Sequence, residues 1–257
     1  VKVEFSLMDI QRDEKARFVS SAKLDSLRGS YDHLEINEEH IARIFHGKKP
    51  TEILFDPNVN LRILTIRDSN TKGLIGPEYP SADSENQRDL RFIGLCRSTG
   101  KNSTADGQDS TGSWGYGKSV IWANNLTRIV LFNSKLSTPA SFNETNINQR
   151  LFGHALLPDD ILNDTGKDGK VFFGNVSNNE VLSAWNDKAL EFVDEIDMAD
   201  FKTPDSGTSI MIIGFEPGDG DEYNSGSIVK QLKDAVAKYF WPAIISNELE
   251  VSIKHNK

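Results

Sequence analysis

Residues 112–119 read Gly-Ser-Trp-Gly-Tyr-Gly-Lys-Ser, GSWGYGKS, and fit letter for letter the phosphate-cradling pattern of a glycine, any four residues and Gly-Lys-Ser. In a P-loop that pattern joins a buried strand to a helix. The helical side is present: Val120-Ile121-Trp122-Ala123 after Ser119 is a credible helical start, and TRIVLFNS at 127–134 then reads as a strand. The strand side is missing. Residues 98–111, STGKNSTADGQDST, carry no large apolar side chain and read as a loop. The nearest upstream strand reading, LRFIGLC at 90–96, ends too early to feed Gly112. No later apolar strand ends in an acid suited to a P-loop magnesium site. The glycine stretch needs a different fold around it.

The chain is long enough for one large domain or two small ones. Its 37% apolar and 26% charged residues permit a packed core. A net charge of −9 disfavours nucleic-acid binding over the whole surface. The single cysteine, Cys96, excludes a disulfide framework and reads as a buried small hydrophobe. No apolar run reaches membrane-spanning length and no signal-peptide pattern is present, so the expectation is a soluble cytoplasmic protein. The five histidines lack ligand spacing, and DGDEYN at 219–224 fails the EF-hand pattern, so no metal site independent of nucleotide is expected.

VKVEFSLM alternates like a strand from Val1 onward, which reads as a fragment of a larger protein. A polar, helix-prone region follows, then a strand at 60–67, NLRILTIR, running into the turn-rich DSNTKGLIGPEYP. Residues 137–200 are mixed, with VFFGN at 171–175 and a helix in ALEFVDEIDMADF. GTSIMIIGF at 207–215 is a strong strand, SIVKQLKDAVAKYFWPAI a helix with Trp241 in the core, and LEVSIK at 249–254 a closing strand. Long polar connections fit a two-layer α/β (α+β) sandwich better than regular βαβ winding: a mixed, mostly antiparallel sheet with helices on one face.

Three elements stand in a fixed order: a strand ending in an acid before a glycine turn, LTIRDSNTKGL; the glycine motif TGSWGYGKS after a long polar loop; and Gly-Thr leading a strand, SGTSIMI. This order resembles the GHKL ATPase superfamily of gyrase B, the large heat-shock chaperones, the sensor histidine kinases, MutL and the MORC proteins. The resemblance spans roughly residues 1–254 and implies a single Bergerat-type ATP-binding domain. Within it, about 11–57 and about 137–200 would be insertions and about 97–119 the ATP lid. The Trp and Gly-Lys-Ser of the glycine stretch look closest to large bacterial members linked to DNA transactions or phage defence.

The resemblance implies that Asp68 accepts the adenine amino group, a charge-assisted bond of about 1.5–3 kcal/mol. As a bare residue Asp68 also suits a turn cap, but the strand before it and the glycine after it favour the adenine role. Gly73 would let the backbone approach the adenine closely. The family usually has Asp-x-Gly-x-Gly, whereas Ser69-Asn70-Thr71-Lys72 separate Asp68 from Gly73 here. Gly112, Gly115 and Gly117 would free backbone N–H groups for phosphate oxygens, with the helix start at Ser119 facing the same anion. Lys118 would add a point charge for the outer phosphates. Thr208 would place a hydroxyl near Asp68, or simply begin a strand. ATP, with Mg²⁺ arriving on the nucleotide, is the implied ligand, and dimerisation on ATP binding the implied assembly.

Family members also carry a helix before the first strand, with a water-activating glutamate and a magnesium-binding asparagine; nothing in this sequence matches it. Either that helix lies upstream of Val1 or the chain is a nucleotide-binding module without catalysis. Loss of a general base costs about 10²–10⁴ in rate, so poor hydrolysis by this chain alone is expected. A P-loop NTPase and a non-catalytic scaffold stay open beside the ATP-driven switch.

Overall fold

The computed structural model describes residues 1–36, 42–79, 90–97, 116–158, 160–162, 165–167, 169–178, 180–217 and 224–256. Strands β1 (Lys2–Ile10), β2 (Leu61–Ser69), β3 (Asn125–Phe142) and β4 (Thr145–Leu156) belong to one large sheet. The small pairs β5 (Asp160–Leu162) with β6 (Thr165–Lys167), and β8 (Asn175–Ser177) with β9 (Glu180–Leu182), stand apart. With β7 (Lys170–Phe173), β10 (Ala184–Trp185), β11 (Gly207–Phe215) and β12 (Glu250–Asn256), the large sheet has eight strands. Its order is β10-β4-β3-β11-β2-β1-β12, with β7 also on β4. Every pairing is antiparallel except β1 with β12. The expected mixed, mostly antiparallel sheet is what forms, with helices on both of its faces rather than on one.

The apolar run Ile129-Val130-Leu131-Phe132 explains why the centre is buried on both faces. Successive strand side chains point to opposite sides, so a continuous apolar run serves two layers. Ile129 and Leu131 pack with Phe18 and Val19 of α1 (Arg12–Ser21), Tyr31 and Leu34 of α2 (Arg28–Leu34), Ile53 of α3 (Pro50–Phe55) and Val193 of α5 (Asp187–Glu195). The one-turn α4 (Val120–Ala123) lies on the opposite face. There Val130 and Phe132 meet Leu74, Phe92, Cys96 and Trp122. On the same face, Leu7, Leu64 and Ile212 meet Ile228 of α6 (Ser225–Tyr239). The larger helical layer thus occupies one face, and α6 with the segments around residues 74, 92–97 and 122 forms a smaller cover on the other. Each fully buried aliphatic side chain contributes about 1.5–3 kcal/mol.

Polar groups fix the edges of these layers. Lys15 of α1 is buried, and its ammonium donates to the carbonyls of Asp56 at 2.6 Å and Val59 at 2.9 Å beyond the end of α3. Asn224 caps α6, its side chain accepting from the Ser227 N–H at 2.9 Å. Between β3 and β4, Asn143 (φ 46°) and Glu144 (φ 64°) form the two-residue left-handed turn that suits the twist of an antiparallel hairpin.

Two local expectations change. LRFIGLC, read as a strand, is helical and closes as a π-turn over Ile93–Arg97. Phe92, Ile93 and Cys96 are buried while Arg91 is exposed, the one-and-four spacing of a helical face. Trp241, read as core, is 55% exposed in α7 (Trp241–Ile245), beside Tyr239 at 66% and Phe240 at 48%. Among the described residues, no helix is long and apolar enough to cross a membrane.

Candidate functional site

At one end of β2, β11 and β3, on the face with the smaller cover, lies a cavity of about 400 Å³. Asp68, Thr71, Gly73, Leu74, Arg91, Gly94, Leu95, Thr208 and Ile210 line it. The sheet register brings these stretches together. Ser209 pairs with Arg67, so Thr208 stands opposite Asp68 one step further along; Thr208 in turn pairs with Ser134 of β3. Alternation puts Asp68, Thr208 and Ser134 on the same side as Ile66, Ile210 and Phe132.

The Asp68 carboxylate accepts from the Thr71 hydroxyl through one oxygen and also from the Thr208 backbone N–H. Burial pushes its carboxyl above the ordinary carboxylate value, against those two bonds and the charge of Arg91. Beside it, the Ser134 hydroxyl donates to the Gly207 carbonyl at 2.8 Å, accepts from the Leu74 N–H at 2.8 Å and stands 3.2 Å from the Thr208 hydroxyl. A half-buried carboxylate, the hydroxyls of Thr71 and Thr208 and the charged Arg91 therefore share the cleft with Leu74, Leu95 and Ile210, a mix of few polar groups and apolar walls suited to orienting a small ligand.

Gly73 is required for a different reason from the one its sequence context suggests. Its φ is +71°, and a β-carbon there would come within 2.6 Å of the Lys135 carbonyl oxygen and 2.8 Å of Ser134 Oγ. The close approach is to the backbone of β3, and it fixes the cavity floor. Gly207 is equally confined, since a β-carbon would lie 2.2 Å from the Asp68 carbonyl oxygen.

Of the glycine stretch, Gly112 and Gly115 lie outside the described residues. Gly117 and Lys118 belong to a 3₁₀ turn over Tyr116–Ser119, and Ser119 is exposed. The helix expected after Ser119 is the single turn α4, too short for a substantial dipole. Lys118 is half-buried, and its ammonium donates to the carbonyl of Gly94, a cavity-lining residue, at 2.5 Å. Among the described residues, no group of three His, Cys, Asp or Glu side chains is placed to hold a metal ion.

Thr71, Ser134 and Arg91 belong to the site without having been singled out in the sequence. Ser134 ends only the apolar part of β3 and Thr71 sits inside a turn, so each looks like ordinary punctuation until the register places it beside Asp68. Comparisons with protein-family models, with curated proteins and with solved structures return no significant match.

Proposed function

We propose that this cavity binds the adenine of ATP and that the chain is the nucleotide-binding part of an ATP-driven conformational switch of the GHKL kind. The observation that carries the reading is the meeting of Asp68, Gly73 and Thr208 around one cleft, from stretches far apart in sequence. In this reading an ionised Asp68 accepts the exocyclic amino group, with one carboxylate oxygen steadied by Thr71. Thr208 and Ser134 serve the polar edge of the base, and Leu74, Leu95 and Ile210 its faces. Lys118, beside Gly94, is near enough to the cavity wall to meet phosphates leaving the base. Mg²⁺ would enter with those phosphates and supply charge neutralisation between them.

The P-loop alternative is less well supported. A 3₁₀ turn and one helical turn lead from Tyr116 into β3, giving Lys118 no long helix behind it. Titration with ATP, against GTP as the control base, tests the proposal. ATP should bind in preference to GTP, and Asp68→Asn should weaken ATP by about tenfold or more, equivalent to about 1.4 kcal/mol. Unchanged ATP affinity in Asp68→Asn would leave Asp68 as a turn cap and end the adenine reading. Cross-linking with and without a non-hydrolysable analogue tests the accompanying proposal, a homodimer formed on ATP binding.

A further inference from the structure

The cavity's outer walls have little secondary structure of their own. Residues 71–79 form bends without a strand or helix, and 90–97 form one helical turn. What places them is a buried ionic group outside the cavity. Arg150 of β4 is 1% exposed. Its guanidinium donates to the Leu74 carbonyl and the Gly76 carbonyl, both at 3.0 Å, lies 3.3 Å from the Glu78 carboxylate, and stacks 4.1 Å from the Phe92 ring centre. Glu78 is fully buried and also accepts from the Ser183 N–H at 2.9 Å, the Ser183 hydroxyl and the Trp185 indole N–H at 3.0 Å. Arg97 completes the group: it donates to Glu78 at 3.2 Å and to the Val181 carbonyl at 2.6 Å.

Both walls therefore hang on the same charges. Leu74 is held through Arg150, and Gly94–Leu95 are held between Phe92 under Arg150 and Arg97 at the end of the π-turn. Irregular backbone needs donors for its carbonyls, and burial makes a missing donor costly. A planar fork serves two carbonyls and a carboxylate in fixed directions; a lysine ammonium has the charge without that geometry.

We infer that Arg150 is a positioning residue for the nucleotide cavity, fixing the Gly73–Leu74 wall against Asp68 and Thr208. The inference rests on the adenine reading for its ligand, but the clamp itself can be read without one. Arg150→Lys is compared with Val193→Ala, which thins the core on the opposite sheet face. Amide exchange is followed at residues 71–76, where Leu74 N–H bonds to Ser134, and ATP affinity is measured on the same proteins.

Arg150→Lys should speed exchange at 71–76 by about tenfold and weaken ATP by about tenfold, while Val193→Ala leaves both within about twofold. Should Arg150→Lys fail to fold, Ser183→Ala loosens Glu78 without removing a charge and should move both readouts in the same direction. Unchanged exchange at 71–76 with intact wild-type ATP binding overturns the clamp alone. Losses matched by Val193→Ala overturn it as well, reducing Arg150 to general stability. Faster exchange in a protein whose wild type binds no ATP upholds the clamp on the wall and overturns the nucleotide reading.

Discussion

The Lys118 ammonium donates to the Gly94 carbonyl at 2.5 Å, so the cation proposed for the outer phosphates already grips a wall of the cavity. Burial lowers its affinity for a proton, and an arriving phosphate would offer a stronger partner than a neutral carbonyl. Lys118→Ala should weaken ATP by about tenfold and adenosine by less than about twofold. Parallel calorimetric titrations with the two ligands check this; equal losses would assign Lys118 to the wall alone.

The adenine contact proposed for Asp68 predicts binding that is sensitive to acid. The Asp68 carboxyl is held above the usual carboxylate value by burial, and the ionised form is the stronger acceptor for an amino group. The nucleotide therefore favours the deprotonated site, and affinity should be flat near neutrality and fall as the pH drops through that raised value. Fluorescence titrations from pH 7.5 down to about 4.5 would show the decline. In Asp68→Asn the slope should vanish.

Gly73→Ala should harm stability and binding together. A β-carbon at φ +71° would be driven to 2.6 Å from the Lys135 carbonyl, where backbone must move. A cost of about 1–3 kcal/mol is expected from thermal unfolding, together with weaker ATP binding as the floor shifts. Gly29→Ala, where a β-carbon meets nothing within 4 Å, is the control and should leave ATP affinity unchanged.

The readable and unreadable parts of this sequence differ in how burial is achieved. GTSIMIIGF declares a strand because its apolar run is bounded by Gly207 and Phe215, and β11 has those limits. β4 was hidden because Gln149, Arg150 and His154 are buried in it, and polar letters in a core strand resemble surface. LRFIGLC misled because a short apolar run has the same composition in a strand and in a helical turn. Asp68 and Thr208 could be marked from their places at strand termini, but Ser134 and Arg150 gain their roles only from the β3–β11 and β3–β4 registers.

Acid should also weaken the fold through Glu78. Burial raises its carboxyl, but Arg150 and the bonds from Ser183 and Trp185 outweigh that and hold it below its ordinary value of 4.5. A depressed carboxylate contributes stability that is complete above the unfolded value and is lost as pH falls through the folded one. Denaturant unfolding should lose stability below about pH 4.5, and Glu78→Gln should flatten that limb. At neutral pH the same substitution leaves Arg150 and Arg97 facing no carboxylate and should cost about 3 kcal/mol.

The parallel ladder between β1 and β12 has a mechanical consequence. It runs from Lys2 beside Glu250 to Met8 beside Asn256, so Val1 and Asn256 emerge at opposite ends of the paired strands. Tension applied through those two residues slides β12 along β1 and loads every rung at the same time. An antiparallel hairpin pulled at its open end parts one rung after another. The sheet's outermost seam is thus a shear joint, soft to peeling at its exposed edge and stiff along the line that joins the two ends of the described chain.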